Sequence, residues 1–197
     1  MSTHDNTPAA SFSMPFPINV DNLFAFKDQC AQSSDALHTA DEDAMNASSI
    51  VGQQEALLVE ECQHDLQTTS TVCEEIANDL ETLKNAVSDL AWSMRSVGDE
   101  YQGIAQKAQD CGLSVLGDTV TRAANASEDI VRSFEELRAQ AEVQRLNYER
   151  AEHVFSLALD SLKVDTYEQW IEPLFDALME QFVLDDKHAA AKIVPYA

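Results

Sequence analysis

Glu61-Cys62-Gln63-His64 is a stretch whose residue types and spacing match a metal-binding pattern. Helical di-iron proteins use Glu-x-x-His pairs, with carboxylate and imidazole on one helix face, to hold metal between helices. A second strict copy is missing, and Asp35-Ala36-Leu37-His38 is the nearest approach to one. Helix geometry argues against both. Cys62 belongs to an inward row, so His64, two residues on, is turned about 200° away from it at 100° per residue. Asp35 likewise stands two residues from inward Leu37, and the inward rows carry no supporting glutamates. The Glu60-Glu61 and Glu74-Glu75 pairs read as solvated helix faces. Glycine-rich phosphate loops, nucleophile elbows and HExxH are absent. No catalytic residue, metal site or cofactor is therefore expected, and the chain reads as non-enzymatic. Cys30, Cys62, Cys73 and Cys111 form no CxxC pair and all fall on inward rows. They are expected to be reduced core thiols, small buried hydrophobes in a reducing compartment.

Long helices must position these residues. Between Ile18 and Glu172 there is no proline, and apolar and small residues recur at spacings of three and four. A first row runs Leu23, Phe26, Cys30, Ser33, Leu37, Ala40, Ala44, Ala47, Val51, Gln54, Leu58. A second runs Cys62, Leu66, Thr69, Cys73, Ile76, Leu80, Leu83, Val87, Leu90, Met94, Val97. A third runs Leu113, Leu116, Val120, Ala123, Ser127, Ile130, Phe134, Leu137, Ala141, Gln144, Tyr148, Ala151, Phe155, Ala158, Leu162. Such rows are the seams of helices packed side by side. The predicted fold is all-α: a long antiparallel helical hairpin, a coiled-coil-like bundle over 21–164, with a short C-terminal amphipathic helix in 165–197. No segment shows sustained period-two alternation, so no strand pairing of note is expected.

The boundaries follow from capping and breaker residues. Residues 1–20 hold Pro8, Pro15 and Pro17 and read as a flexible tail. Phe12, Met14 and Phe16 in that tail could anchor to an apolar surface; the alternative is that Phe16 and Ile18 pack on the first helix. That helix is expected to open at Asn19 or Asp21. From Gln54 to Leu66, just after Gly52, the spacing becomes four, four, four, which predicts a straightened or slightly bent segment, with a full break as the alternative. Gly98, followed by Asp99 and Gln102, reads as a helix stop and a new cap, so 96–99 is the preferred hairpin turn. The row nevertheless continues in phase through Tyr101, Ile104, Ala108, Cys111 and Val115, which leaves 112–117, where the phase changes, as the alternative. An unbroken arm from Leu23 to Val97 would be about 110 Å long at 1.5 Å per residue, too long for a simple two-helix monomer. A homo-oligomer is expected. Near the C-terminus, Pro173 suits the first helical position, and Trp170, Ile171, Leu174, Leu178 and Phe182 give a wide apolar face.

Charge narrows the partners. The net charge of −23 over 197 residues opposes nucleic acid and anionic membranes, and favours solubility. No uncharged apolar run approaches the ~20 residues that span a bilayer, and the N-terminus lacks the pattern of a secretory signal. No transmembrane segment is expected, and a soluble cytoplasmic protein is the simplest reading. The rows are thin for their length: Ala40, Ala44, Ala47, Ala123, Ala141, Ala151 and Ala158 occupy them with little apolar area to bury. A thin seam suits an adaptable binder or loose oligomer; the alternative is that alanine serves close helix contact.

Asn22-Leu23-Phe24-Ala25-Phe26 leads into an Ala/Ser/Gln-rich helix. NASSIVGQQEALLVEECQHDLQTT follows from Asn46, and a second Ala-rich helix, ANASEDIVRSFEELRAQ, from Ala124. Over about residues 20–140 the chain resembles the phasin family, coat proteins of polyhydroxyalkanoate storage granules. The resemblance implies a helical, oligomeric, non-enzymatic protein whose amphipathic helices adsorb to a hydrophobic polyester granule surface, with contacts to other granule proteins. It implies a cytoplasmic, granule-associated location. The strong acidity and the Trp170–Leu184 segment depart from that pattern. Candidate surface and oligomer contacts are the seam residues Leu66, Ile76, Leu80, Leu83, Val87, Leu90, Leu116, Val120, Ile130, Phe134 and Leu137. The rival reading is a cytoplasmic coiled-coil adaptor whose seams pair only with protein.

Overall fold

The computed structural model describes residues 8–53 and 59–162. In chain order these form strand β1 (Ala10–Ser13), helices α1 (Val20–Val51) and α2 (Val59–Asp110), strands β2 (Ser114–Leu116) and β3 (Thr119–Arg122), and helix α3 (Glu128–Asp160). Helix dominates, as the rows predict. Residues 19–89 and the end of α3 from Phe155 belong to one unit; residues 8–18 and 90–154 belong to another. The expected C-terminal helix falls in 163–197, outside the described residues.

In the first unit α1 and the beginning of α2 run antiparallel. Asn19, one of the two expected caps, opens α1: its side-chain oxygen accepts from the N–H groups of Asp21 (3.1 Å) and Asn22 (3.4 Å), which satisfies two otherwise unpaired donors. Three hydrogen bonds then cross between the helices. Ser34 Oγ donates to the Ala77 carbonyl (3.1 Å), Ser70 Oγ to the Asp41 carboxylate, and Gln63 Nε2 to the Ser48 carbonyl (3.3 Å). Partners step by seven residues on each helix, and every pair is centred between residues 55 and 56. That is the register of an antiparallel heptad seam. Helix α1 thus ends at Val51 and α2 runs antiparallel to it from Val59, which is the full break rather than the expected bend.

In the second unit α2 continues unbroken through Gly98 and Gly103 to Asp110. The preferred turn at 96–99 is thus incorrect, and the turn falls in the alternative stretch. Gly112, at φ 79°, ends α2: the Leu113 N–H reaches the Ala108 carbonyl and the Gly112 N–H the Gln109 carbonyl, both at 2.9 Å. This is a Schellman closure, sealed by buried Leu113 against buried Ala108. The chain then forms strands where helix was predicted. Gly117, at φ 60°, occupies the first position of a two-residue loop joining β2 to β3, since Leu116 pairs with Thr119. Hairpin loops of this kind select glycine there.

β1 completes an antiparallel sheet of order β1-β3-β2, with Ala10 opposite Arg122 and Ser13 opposite Thr119. The expected flexible tail is held further by the Met14 N–H on the Asp118 carbonyl (2.8 Å). A core forms from Met14, Val97, Tyr101, Ile104, Ala108, Leu113, Val120, Phe134, Leu137 and Ala141. Phe12 packs on Phe134 with ring centroids 5.3 Å apart, and Phe16 sits edge-on to Tyr101 and Tyr148, each at 6.4 Å. Phe16 thus packs on α2 and α3.

Candidate interaction surface

The eleven seam residues proposed as contacts divide sharply. Leu80, Leu83, Val87, Leu90, Val120, Phe134 and Leu137 are buried, and Leu66, Ile76 and Ile130 half-buried. Leu116, 83% exposed, stands beside the β2–β3 loop. The leucines of α2 are therefore occupied within the fold of a single chain. On α1 the predicted Leu23, Phe26, Cys30 and Ala44 are buried, but Ser34 and Ser48 are buried in place of their predicted neighbours, and Ser33 and Ala40 are exposed.

What remains outside is a set of apolar side chains that the seam reading passed over. Met45 and Ile50 on α1, Val72 and Trp92 on α2, and Val143, Leu146, Val154 and Leu157 on α3 are all about half exposed or more. The α3 residues share one helix face, opposite the face carrying Phe134, Leu137 and Ala141. The signal was present in the sequence, but a search for one inward row per helix does not find a second. Charge surrounds them. Arg145 grips Glu142 through two bonds (Nη2 at 2.6 Å, Nε at 2.9 Å) and also pairs with Glu149. That hydrogen bond holds the Glu142 carboxyl below its ordinary value.

Two tyrosines are withdrawn from solvent, Tyr101 buried and Tyr148 half-buried. Burial pushes the Tyr148 phenol well above its ordinary 10.0, helped by repulsion from Glu152, which also accepts its hydrogen bond. Burial raises Tyr101 too. Unfolded tyrosines ionise near 10 while these folded ones keep their protons, so their stabilisation is complete below that pH and lost as pH rises beyond it. The denaturant midpoint should accordingly fall above pH 10.0, and Tyr148→Phe should flatten that fall, as equilibrium unfolding across the alkaline range will test. In addition, the Arg122 guanidinium is buried, donating to the Pro8 carbonyl (2.9 Å) and lying 5.3 Å from the Phe134 ring, while its Nε and Nη1 have no partner.

Glu61 and His64 are exposed, and among the described residues no three His, Cys, Asp or Glu side chains are placed to hold a metal ion. The cysteines correct the expectation that all four are core thiols. All are free, but only Cys30 is buried; Cys73 is half-buried, and Cys62 and Cys111 are exposed. Burial pushes the Cys30 thiol up to about 12, leaving little thiolate at neutral pH. Native alkylation followed by mass spectrometry should label Cys62 and Cys111 fast, Cys73 slowly, and Cys30 only on unfolding. Among the described residues no helix is long and apolar enough to cross a membrane.

Compared with protein-family models, curated proteins and solved structures, the chain matches none.

Proposed function

We propose that this chain is a non-enzymatic cytoplasmic adaptor that binds other proteins along the outer faces of its helices. One observation carries this reading: Leu80, Leu83, Val87 and Leu90 are buried inside the fold, so the strongest seam is already satisfied and cannot be offered to a surface without unfolding. The remaining apolar side chains form short rows bordered by charge, the pattern of helix-in-groove and coiled-coil contacts. The second reading is the granule coat. It is favoured by the spread of exposed apolar residues over α1, α2, α3 and the β2–β3 hairpin, since a broad polyester surface can engage scattered positions where one protein groove cannot.

Mixing the full chain with polyhydroxyalkanoate particles separates the two. The adaptor stays in solution. A coat protein partitions to the particles and remains there when salt is raised, because screening weakens charge attraction but leaves apolar burial intact. Salt-resistant adsorption overturns the adaptor; failure to adsorb overturns the coat.

A further inference from the structure

Arg122 is a cation withdrawn both from water and from counter-charge. It is 4% exposed, its Nε and Nη1 have no partner, and no carboxylate among the described residues forms an ion pair with it. It has the neutral Pro8 carbonyl at 2.9 Å from Nη2 and the Phe134 ring at 5.3 Å. A neutral acceptor and a ring return only part of what a guanidinium loses on leaving water. The segment that supplies the carbonyl is lightly held. β1 lies at the edge of the sheet, bonded to β3 on one side over four residue pairs. Its inward residues, Ala10 and Phe12, are only half-buried. Just behind it the chain is fastened. Met14 is buried with its N–H on the Asp118 carbonyl, and Phe16 sits edge-on to Tyr101 and Tyr148 and close against Gly98.

We infer that residues 8–13 form a strap that undocks from β3 while residues 14–16 stay in place, with the buried charge of Arg122 favouring the undocked state. Undocking returns the guanidinium to water, so the penalty of burying it falls on the docked state alone. What docking gains is a short edge pairing and two half-buried side chains. The balance is therefore close, and the strap opens locally before its unit unfolds. Docked, it fills the outer edge of β3, whose backbone groups are otherwise open to pairing with another strand. The strap thus controls access to that edge, whichever outside partner the chain binds. Ala10 is the lever on this balance. It is the direct cross-strand partner of Arg122 and faces the same side of the sheet. A carboxylate placed there would neutralise the guanidinium in the docked state.

Native-state hydrogen exchange of the full chain, read amide by amide, tests this. The amides bonded between β1 and β3 should exchange at least about tenfold faster than those of α2 around Ile104, through an opening that low denaturant does not accelerate. Arg122→Met should slow exchange of the β1–β3 amides about tenfold, since methionine keeps an apolar stem and removes the charge. Ala10→Glu should slow it similarly while Arg122 is present. With Arg122→Met in the same chain, Ala10→Glu should speed it instead, because the carboxylate then lacks its cation. β1 amides that exchange only with global unfolding overturn the inference, as does faster exchange in the Arg122→Met chain. Should Arg122→Met not fold, Ala10→Glu decides alone: slower exchange upholds the strap and faster exchange overturns it.

Discussion

Phe134→Ala should lower stability by about 3–5 kcal/mol, a large share of the ~5–15 kcal/mol that holds an ordinary domain folded. Phe134 is fully buried, at 0% exposure, and it joins the sheet to the helical core. Phe12 of β1 rests on its ring, and the Arg122 guanidinium of β3 lies over it at 5.3 Å. Truncation removes burial, opens a cavity and takes the aromatic face from a cation whose Nε and Nη1 already lack partners. Phe134→Leu separates these effects. Leucine restores most of the apolar volume but not the ring, so any loss beyond the ~1–1.5 kcal/mol of a modest volume change reports the Arg122 contact. Leu116→Ala, at a position 83% exposed, should stay within about 0.5 kcal/mol. Urea unfolding of the three variants measures all of this. A Phe134→Ala chain as stable as wild type would mean that the sheet does not depend on that core.

The third seam was legible from Ile130 to Ala158 because the pattern persists over many turns of one unbroken helix. Two helical stretches misled for identifiable reasons. Gly98 reads as a stop, yet it is helical because the Phe16 ring lies where a side chain would stand: an added Cβ would be 3.2 Å from Phe16 Cε1. The glycine serves close approach, and its partner is more than eighty residues away in sequence. On α1, an apolar count favours Ala40 and Ala47 over Asp41 and Ser48, although the latter share the inward row with Ser34, Leu37 and Ala44. Polar residues become inward only when the facing helix supplies donors and acceptors, and no local pattern encodes that. The sheet escaped notice because its strands have three or four residues, too few to alternate convincingly. Its local signal was Gly117-Asp118 between Val115-Leu116 and Thr119-Val120. β1 pairs across more than a hundred residues. The outer row of α3 was visible in the sequence, but deciding that it is outward required knowing which row α3 buries.

The three cross-helix hydrogen bonds lead to the second large effect. Ser70→Ala should cost about 1.5–3 kcal/mol, the range for a hydrogen bond to a charged group, because Ser70 Oγ is the donor that holds the half-buried Asp41 carboxylate. Ser34→Ala removes a neutral bond to the Ala77 carbonyl and should cost only about 1 kcal/mol. A double-mutant cycle on Asp41→Ala and Ser70→Ala should return most of the Ser70 loss as coupling, since removing both partners leaves nothing unsatisfied. Asp41→Leu with Ser70→Leu goes further: it replaces a polar layer by an apolar one and should match or exceed wild-type stability. Its drawback would be specificity. Bonds stepping by seven fix the antiparallel register, whereas a uniformly apolar seam tolerates slippage of one helix along the other. The double-leucine chain should therefore melt at least as high as wild type yet give broader amide resonances for α1 and α2. A cycle with no coupling would show that Asp41 and Ser70 do not pair in solution, and the register would then rest on the Ser34 and Gln63 bonds and on shape.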